Sequence, residues 1–143
     1  TKRPILNKAV WRCGHTAIYH QQKIYFYGGR IKDRKNYELI GLEIYSFSDK
    51  KFSHPGLMTE PPDRRNHIAV KVNDQMLIHG GIGLENQILS DCCLLNFSPL
   101  KWIDISIDKY TSKPKVFGHA SCLVIPSILL NNSNFSIYKL LEI

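Results

Sequence analysis

A chain of 143 residues with 43% hydrophobic and 22% charged residues has enough apolar material for one ordinary core, and not comfortably for two. No run approaches the ~20 consecutive apolar residues of a membrane-spanning helix. The formal charge of +7 is too dispersed for a nucleic-acid footprint, which gathers basic residues into a stripe interleaved with stacking aromatics. The opening Thr1-Lys2-Arg3-Pro4 has neither an initiator methionine nor an apolar signal core, as expected of a processed chain or a piece of a longer one.

Residues 1–11 carry Pro4 and mixed polarity and read as a lead-in segment. Thr16–Tyr19 follows as a first strand, and His20–Lys23 as a polar turn. Ile24-Tyr25-Phe26-Tyr27 is a continuous apolar strand of the kind covered on both faces. Gly28-Gly29 is expected to end it, because glycines weaken a strand and admit positive φ or close backbone approach. A polar loop from Arg30 to about Ile40 holds the one local basic cluster, Arg30, Lys32, Arg34 and Lys35. Leu42–Phe47 reads as a third strand, Ser48–Lys51 as a turn and Phe52 as the opening of a fourth. A connection marked by Pro55, Pro61 and Pro62 then leads to Arg64-Arg65-Asn66-His67.

From His67 the cycle restarts. Ile68–Val72, Gln75–Ile78, Cys92–Phe97 and Trp102–Ile105 read as four more strands, the second again running onto a glycine pair, Gly80-Gly81. The two glycine pairs are 52 residues apart, as are His15, His67 and His119. Two independent features sharing one long period mark a repeat protein. A third unit begins at Gly118-His119, with Asn132-Ser133 in place of the glycine pair and Tyr138 in a final strand. No segment calls for a long helix.

Four short strands in about 50 residues, with a double glycine after the second, describe a propeller blade, and here the sequence resembles the kelch family. The resemblance rests on Arg12, His15, Gly28, Gly29, Tyr45 and Phe52 in the first unit. In the second it rests on Arg64, His67, Gly80, Gly81 and Trp102, with Leu95 where a tyrosine is expected. The third keeps His119, with Val116 in place of the arginine. The fold expected is therefore all-β: a partial kelch-type propeller of about two and a half four-stranded antiparallel blades. The expected divisions are residues 12–63, 64–115 and a degenerate 116–143. Because such propellers close rings of about five to seven blades, the chain is expected to belong to a longer propeller, or to have its open edges covered by a neighbouring subunit.

The resemblance implies a non-enzymatic protein-interaction scaffold, with sub-roles among ubiquitin-ligase substrate receptors and cytoskeletal or ciliary assembly factors. Its location would be cytoplasmic, extending to the cytoskeleton or cilium. The alternative is an accessory propeller of a larger enzyme such as a phosphatase. Partners would be acidic or extended segments of other proteins, held by arginines on the face where the fourth-to-first and second-to-third loops emerge: Arg12, Arg64 and Arg65, with Arg30 and Arg34 on a neighbouring loop. Arg12 and Arg64 have an equally good structural reading as inter-blade bonds, and a solvated loop is the favoured reading of Arg65, Arg30 and Arg34. No cofactor or metal is expected. The three histidines are equivalent positions on successive blades and do not converge, and Cys13, Cys92, Cys93 and Cys122 contain no Cys-x-x-Cys pair. Free thiols in a reducing compartment explain the cysteines.

Overall fold

The computed structural model describes residues 11–32, 37–105 and 115–121. Within them the chain forms two antiparallel sheets with a single short 3-10 turn, Leu84–Asn86. The first sheet contains β1 (Arg12–His20), β2 (Lys23–Lys32), β3 (Tyr37–Leu39), β4 (Leu42–Ser46) and β5 (Lys51–Ser53). Its path is β1-β2-β4-β5, with β3 paired to the far end of β2. The second sheet is β6 (Ile68–Val72), β7 (Gln75–His79), β8 (Cys92–Phe97) and β9 (Leu100–Asp104), paired in sequence order. These are two meander blades, as the repeat requires. Among the described residues no helix is long and apolar enough to cross a membrane.

The largest departures from the expected strand limits lie in blade 1. β1 starts at Arg12 rather than Thr16, and β2 runs through Gly28-Gly29 to Lys32. The glycines do not end the second strand of blade 1, because the expected polar loop folds back as a hairpin. Arg30 pairs with Leu39 and Lys32 with Tyr37, which keeps the extended backbone hydrogen-bonded beyond the blade. In blade 2 the fold-back is reduced to a single antiparallel bridge, Ile82 to Ile88, and β7 stops at His79.

The core is the seam between the blades. One face of blade 1, with Tyr25, Tyr27, Leu42 and Ile44, packs on Met76, Ile78, Leu95, Phe97 and Trp102 of blade 2. Tyr25 and Tyr27 are therefore packing residues, and the Tyr27 hydroxyl donates to the Pro61 carbonyl at 2.9 Å. Burial pushes the pKa of that phenol up, so it stays a neutral donor. The other face of blade 2 gathers Val72, Leu94 and Ile105 into a second cluster.

Near the innermost strands the blades are stitched by backbone bonds that step with the repeat. Asn66 N–H donates to the Gly14 carbonyl at 2.8 Å, and Gly118 N–H donates to the Asn66 carbonyl at 2.9 Å. Likewise Gly29 N–H donates to the Arg64 carbonyl and Gly81 N–H to the Val116 carbonyl, both at 2.8 Å. The start of the third unit thus docks on blade 2 as blade 2 docks on blade 1. The positions proposed for its later strands, with Asn132, Ser133 and Tyr138, lie outside the described residues.

Candidate partner-binding face

The register of β2 on β1 puts the start of β1, the β2–β3 hairpin and the start of β4 at one end of blade 1. The corresponding end of blade 2 carries the loop over 82–91, and the linker over 54–66 arrives at the same level. Between the hairpin and that loop lies a cleft of about 540 Å³, lined by Arg30, Tyr37 and Glu38 on one side and by Arg65, Leu84 and Glu85 on the other.

The two arginines of the cleft are held differently. The Arg30 guanidinium lies over the Tyr37 ring, 4.5 Å from its centre, while its Nε donates to Cys13 Sγ at 3.5 Å. A cation–π contact of this kind holds the guanidinium at the aromatic face. Arg65 donates through Nη2 to Asn86 Oδ1 at 3.0 Å, which ties it to the 3-10 turn. Apolar surface stands beside both, with Tyr37 61% and Leu84 69% exposed. Arg34 lies outside the described residues.

Arg64 and Arg12 face inward. Arg64 is completely buried and makes a bidentate pair with Asp91 at 2.6 and 2.5 Å. The same guanidinium donates to the Pro62 and Gly80 carbonyls, each at 3.0 Å. Burial works against its charge, but the Asp91 carboxylate outweighs that and raises the Arg64 pKa. Burial acts on Asp91 in the opposite sense to the Arg64 hydrogen bonds, which prevail and lower its pKa. Arg12 forms an ion pair with Glu43, whose carboxylate also receives the His54 imidazole at 2.9 Å, and both partners of the Arg12 pair are almost wholly buried. Placing Arg12 and Arg64 at the partner rim is therefore corrected for Arg64, whose fork has no surface left. Arg12 is committed in the same way.

Two of the histidine markers, His67 and His119, are bolts between blades. His67 is buried, with Nε2 2.8 Å from Thr16 Oγ1 and its ring edge-on to Tyr27 at 5.4 Å. One repeat later, His119 meets His79 edge-on at 5.5 Å, and His79 is the counterpart of Tyr27. Burial, and then the nearby Arg64 charge, lower the His67 pKa to about 3, so the ring is neutral at physiological pH. Among the described residues no group of three or more His, Cys, Asp or Glu is placed to hold a metal ion.

Sequence reasoning named Arg30 and Arg65 among its candidates but not the residues that line the cleft beside them. Tyr37 was hidden because the residues around it are polar, and only the hairpin brings its ring under Arg30. Asp91 had a faint signal: a carboxylate one residue before the third strand of a blade that opens with Arg64. Gly41 takes that place in blade 1, and the carboxylate moves to Glu43, so the repeat does not display it.

A pair of antiparallel blades stitched at a common hub, with glycine pairs seated under an Arg-x-x-His segment, defines a β-propeller of the kelch class. The family model described as the KLHDC2/KLHL20/DRC7 Kelch-repeats domain matches residues 4–131, and the chain belongs to that family. No curated protein matches the chain. Among solved structures, that of YjhT is similar with a TM-score of 0.57 at 12% identity, covering 69% of this chain and 39% of the other. That likeness speaks to the fold alone. The chain thus spans well under half the length of this neighbour.

Proposed function

We propose that this chain is a protein-interaction module of the kelch type, and that it binds an extended segment of a partner in the Arg30–Arg65 cleft. Kelch-repeat domains generally bind other proteins, which supports the broad reading. The finer one rests on a single observation: the Arg30 guanidinium is held over the Tyr37 ring, 4.5 Å from its centre, in the lining of a cleft of about 540 Å³. A guanidinium fixed in that way meets a carboxylate bidentately at little further cost in ordering.

The cleft also contains Glu38, Glu85 and Asp63, so its field is mixed. A strongly polyacidic tail would meet these carboxylates as well as the arginines. The segment that fits carries an isolated carboxylate beside an apolar residue that covers Tyr37 or Leu84. A scaffold role in cytoplasmic, cytoskeletal or ciliary assembly, without catalysis by these residues, rests on the family resemblance and is part of the same proposal.

The test is selection of displayed random peptides against the chain. Selected peptides should carry one acidic residue and lose at least tenfold in affinity towards Arg30→Glu/Arg65→Glu, while binding Asp74→Lys, altered at the opposite end, as before. Peptides indifferent to the cleft variant would overturn the assignment.

A further inference from the structure

A second cavity, of about 220 Å³, lies between linker residues 59–62 and the blade 2 residues Asp91, Cys93 and Trp102. None of its lining residues lines the Arg30–Arg65 cleft. One of its walls carries a donor without an acceptor. Trp102 is 3% exposed, and its buried Nε1–H has no hydrogen-bond partner among the described residues. An indole nitrogen can only donate, and buried polar groups are as a rule bonded. Packing alone does not call for that donor. Phe52 stands opposite Tyr45 in blade 1 as Trp102 stands opposite Leu95 in blade 2, and its ring has no polar atom.

The rest of the lining limits what can accept from it. Glu60 and Asp91 contribute carboxylates, and among the described residues no basic side chain lines the cavity. An anionic acceptor would meet like charge there, and an ammonium group has no lone pair to offer. The occupant is therefore neutral, accepting from Trp102 and donating towards the carboxylates. These partners stand on different elements: Trp102 on β9, Glu60 on the linker and Asp91 just before β8. A hydroxyl would have to serve them from one atom. A primary carboxamide serves them from two, with its oxygen and its NH2 pointing to different sides. Pro61, Pro62 and Ile103 offer apolar cover for a short stem. The volume is below the about 300–1,000 Å³ of sites that enclose drug-sized ligands, and suits a single side chain.

We infer that this cavity binds a neutral primary carboxamide, as carried by a glutamine or asparagine side chain or by a small free amide. The carboxamide oxygen receives the Trp102 N–H, and its NH2 faces Glu60. The linker is the wall that yields to admit it, since Thr59 Oγ1 holds the Trp102 carbonyl by one long bond of 3.5 Å. The inference does not rest on the Arg30–Arg65 cleft being a binding site.

The chain has two tryptophans, so the NMR spectrum of the isotope-labelled protein carries two indole N–H signals. Trp11→Phe, at an exposed position, assigns the signal of Trp102. Propionamide and N-acetylglutamine methylamide should each move that signal downfield and saturably, leaving the Trp11 signal in place. Propionate and N-acetylglutamate methylamide should not. Tighter binding of the capped glutamine marks a partner's side chain as the source of the amide, and tighter binding of propionamide a small free molecule. Trp102→Phe keeps a ring and removes the donor. It should bind both amides at least tenfold more weakly, followed on the Cys93 and Ile103 backbone signals, with an unchanged circular dichroism spectrum. Should that variant fail to fold, Glu60→Lys on the linker wall takes its place, weakening the amides at least tenfold and admitting propionate. No saturable shift, equal shifts by amides and carboxylates, or full amide affinity in the folded variants would each overturn the inference.

Discussion

His67 Cε1 lies 2.6 Å from the place a Cβ would take on Gly28, where the Arg64 carbonyl also closes in, and Gly28 itself has φ +67°. The glycine is thus fixed by two requirements, left-handed backbone and the seating of the next blade. Gly28→Ala should destabilise the chain by about 2–5 kcal/mol, from the left-handed cost and the enforced displacement of backbone. Gly56, at φ +57° with nothing within 4 Å of such a Cβ, should show only the about 1–2 kcal/mol conformational share. Urea unfolding of the two variants separates the contributions, and equal losses would mean that the seam yields.

Because His67 is held neutral, the unfolded chain binds a proton at this residue that the folded chain refuses between pH 6.5 and about 3. Its contribution to stability is complete above pH 6.5 and is lost as pH falls, at up to about 1.4 kcal/mol per pH unit. His15 is lowered too, by burial and then by Arg12, and acts in the same direction. His67→Gln, which can still bond Thr16, should flatten the decline between pH 6.5 and 4. The check is the urea midpoint as a function of pH in both proteins.

Asp91 behaves similarly at lower pH. Its folded pKa lies below the ordinary 3.8, so its support is intact above that value and is lost as pH falls through the folded pKa. Asp91→Asn leaves the Arg64 charge buried without its counter-ion, and a loss of about 3–5 kcal/mol is expected in chemical denaturation at neutral pH. Asp74→Asn, at an exposed carboxylate 3.7 Å from His20, should stay within about 0.5 kcal/mol of wild type.

The scaffold was legible in the sequence because each blade must satisfy the same geometry. Gly28 and Gly80 recur since both must admit the chain of the next unit, and His67 and His119 recur since both fill the space those glycines leave. The strand periods of Ile24–Tyr27 and Gln75–Ile78 were readable for the same reason. The cleft was not legible because nothing in it repeats: Tyr37 has no counterpart ring in blade 2, and the hairpin that carries it replaces a loop. Neighbouring arginines were indistinguishable as letters. Only the side on which each leaves the backbone separates Arg64, enclosed with Asp91, from Arg65, which opens onto the cleft.

That pair gives the most direct test of the division between scaffold and binding face: unfolding free energy and affinity for a selected peptide, measured on Arg64→Lys and Arg65→Glu. Arg64→Lys loses the bidentate fork and should cost about 1–3 kcal/mol of stability, while the folded protein binds the peptide as wild type does. Arg65→Glu should stay within about 0.5 kcal/mol of wild type in stability and lose at least tenfold in affinity. Full affinity in Arg65→Glu, or lost affinity with full stability in Arg64→Lys, would contradict the account.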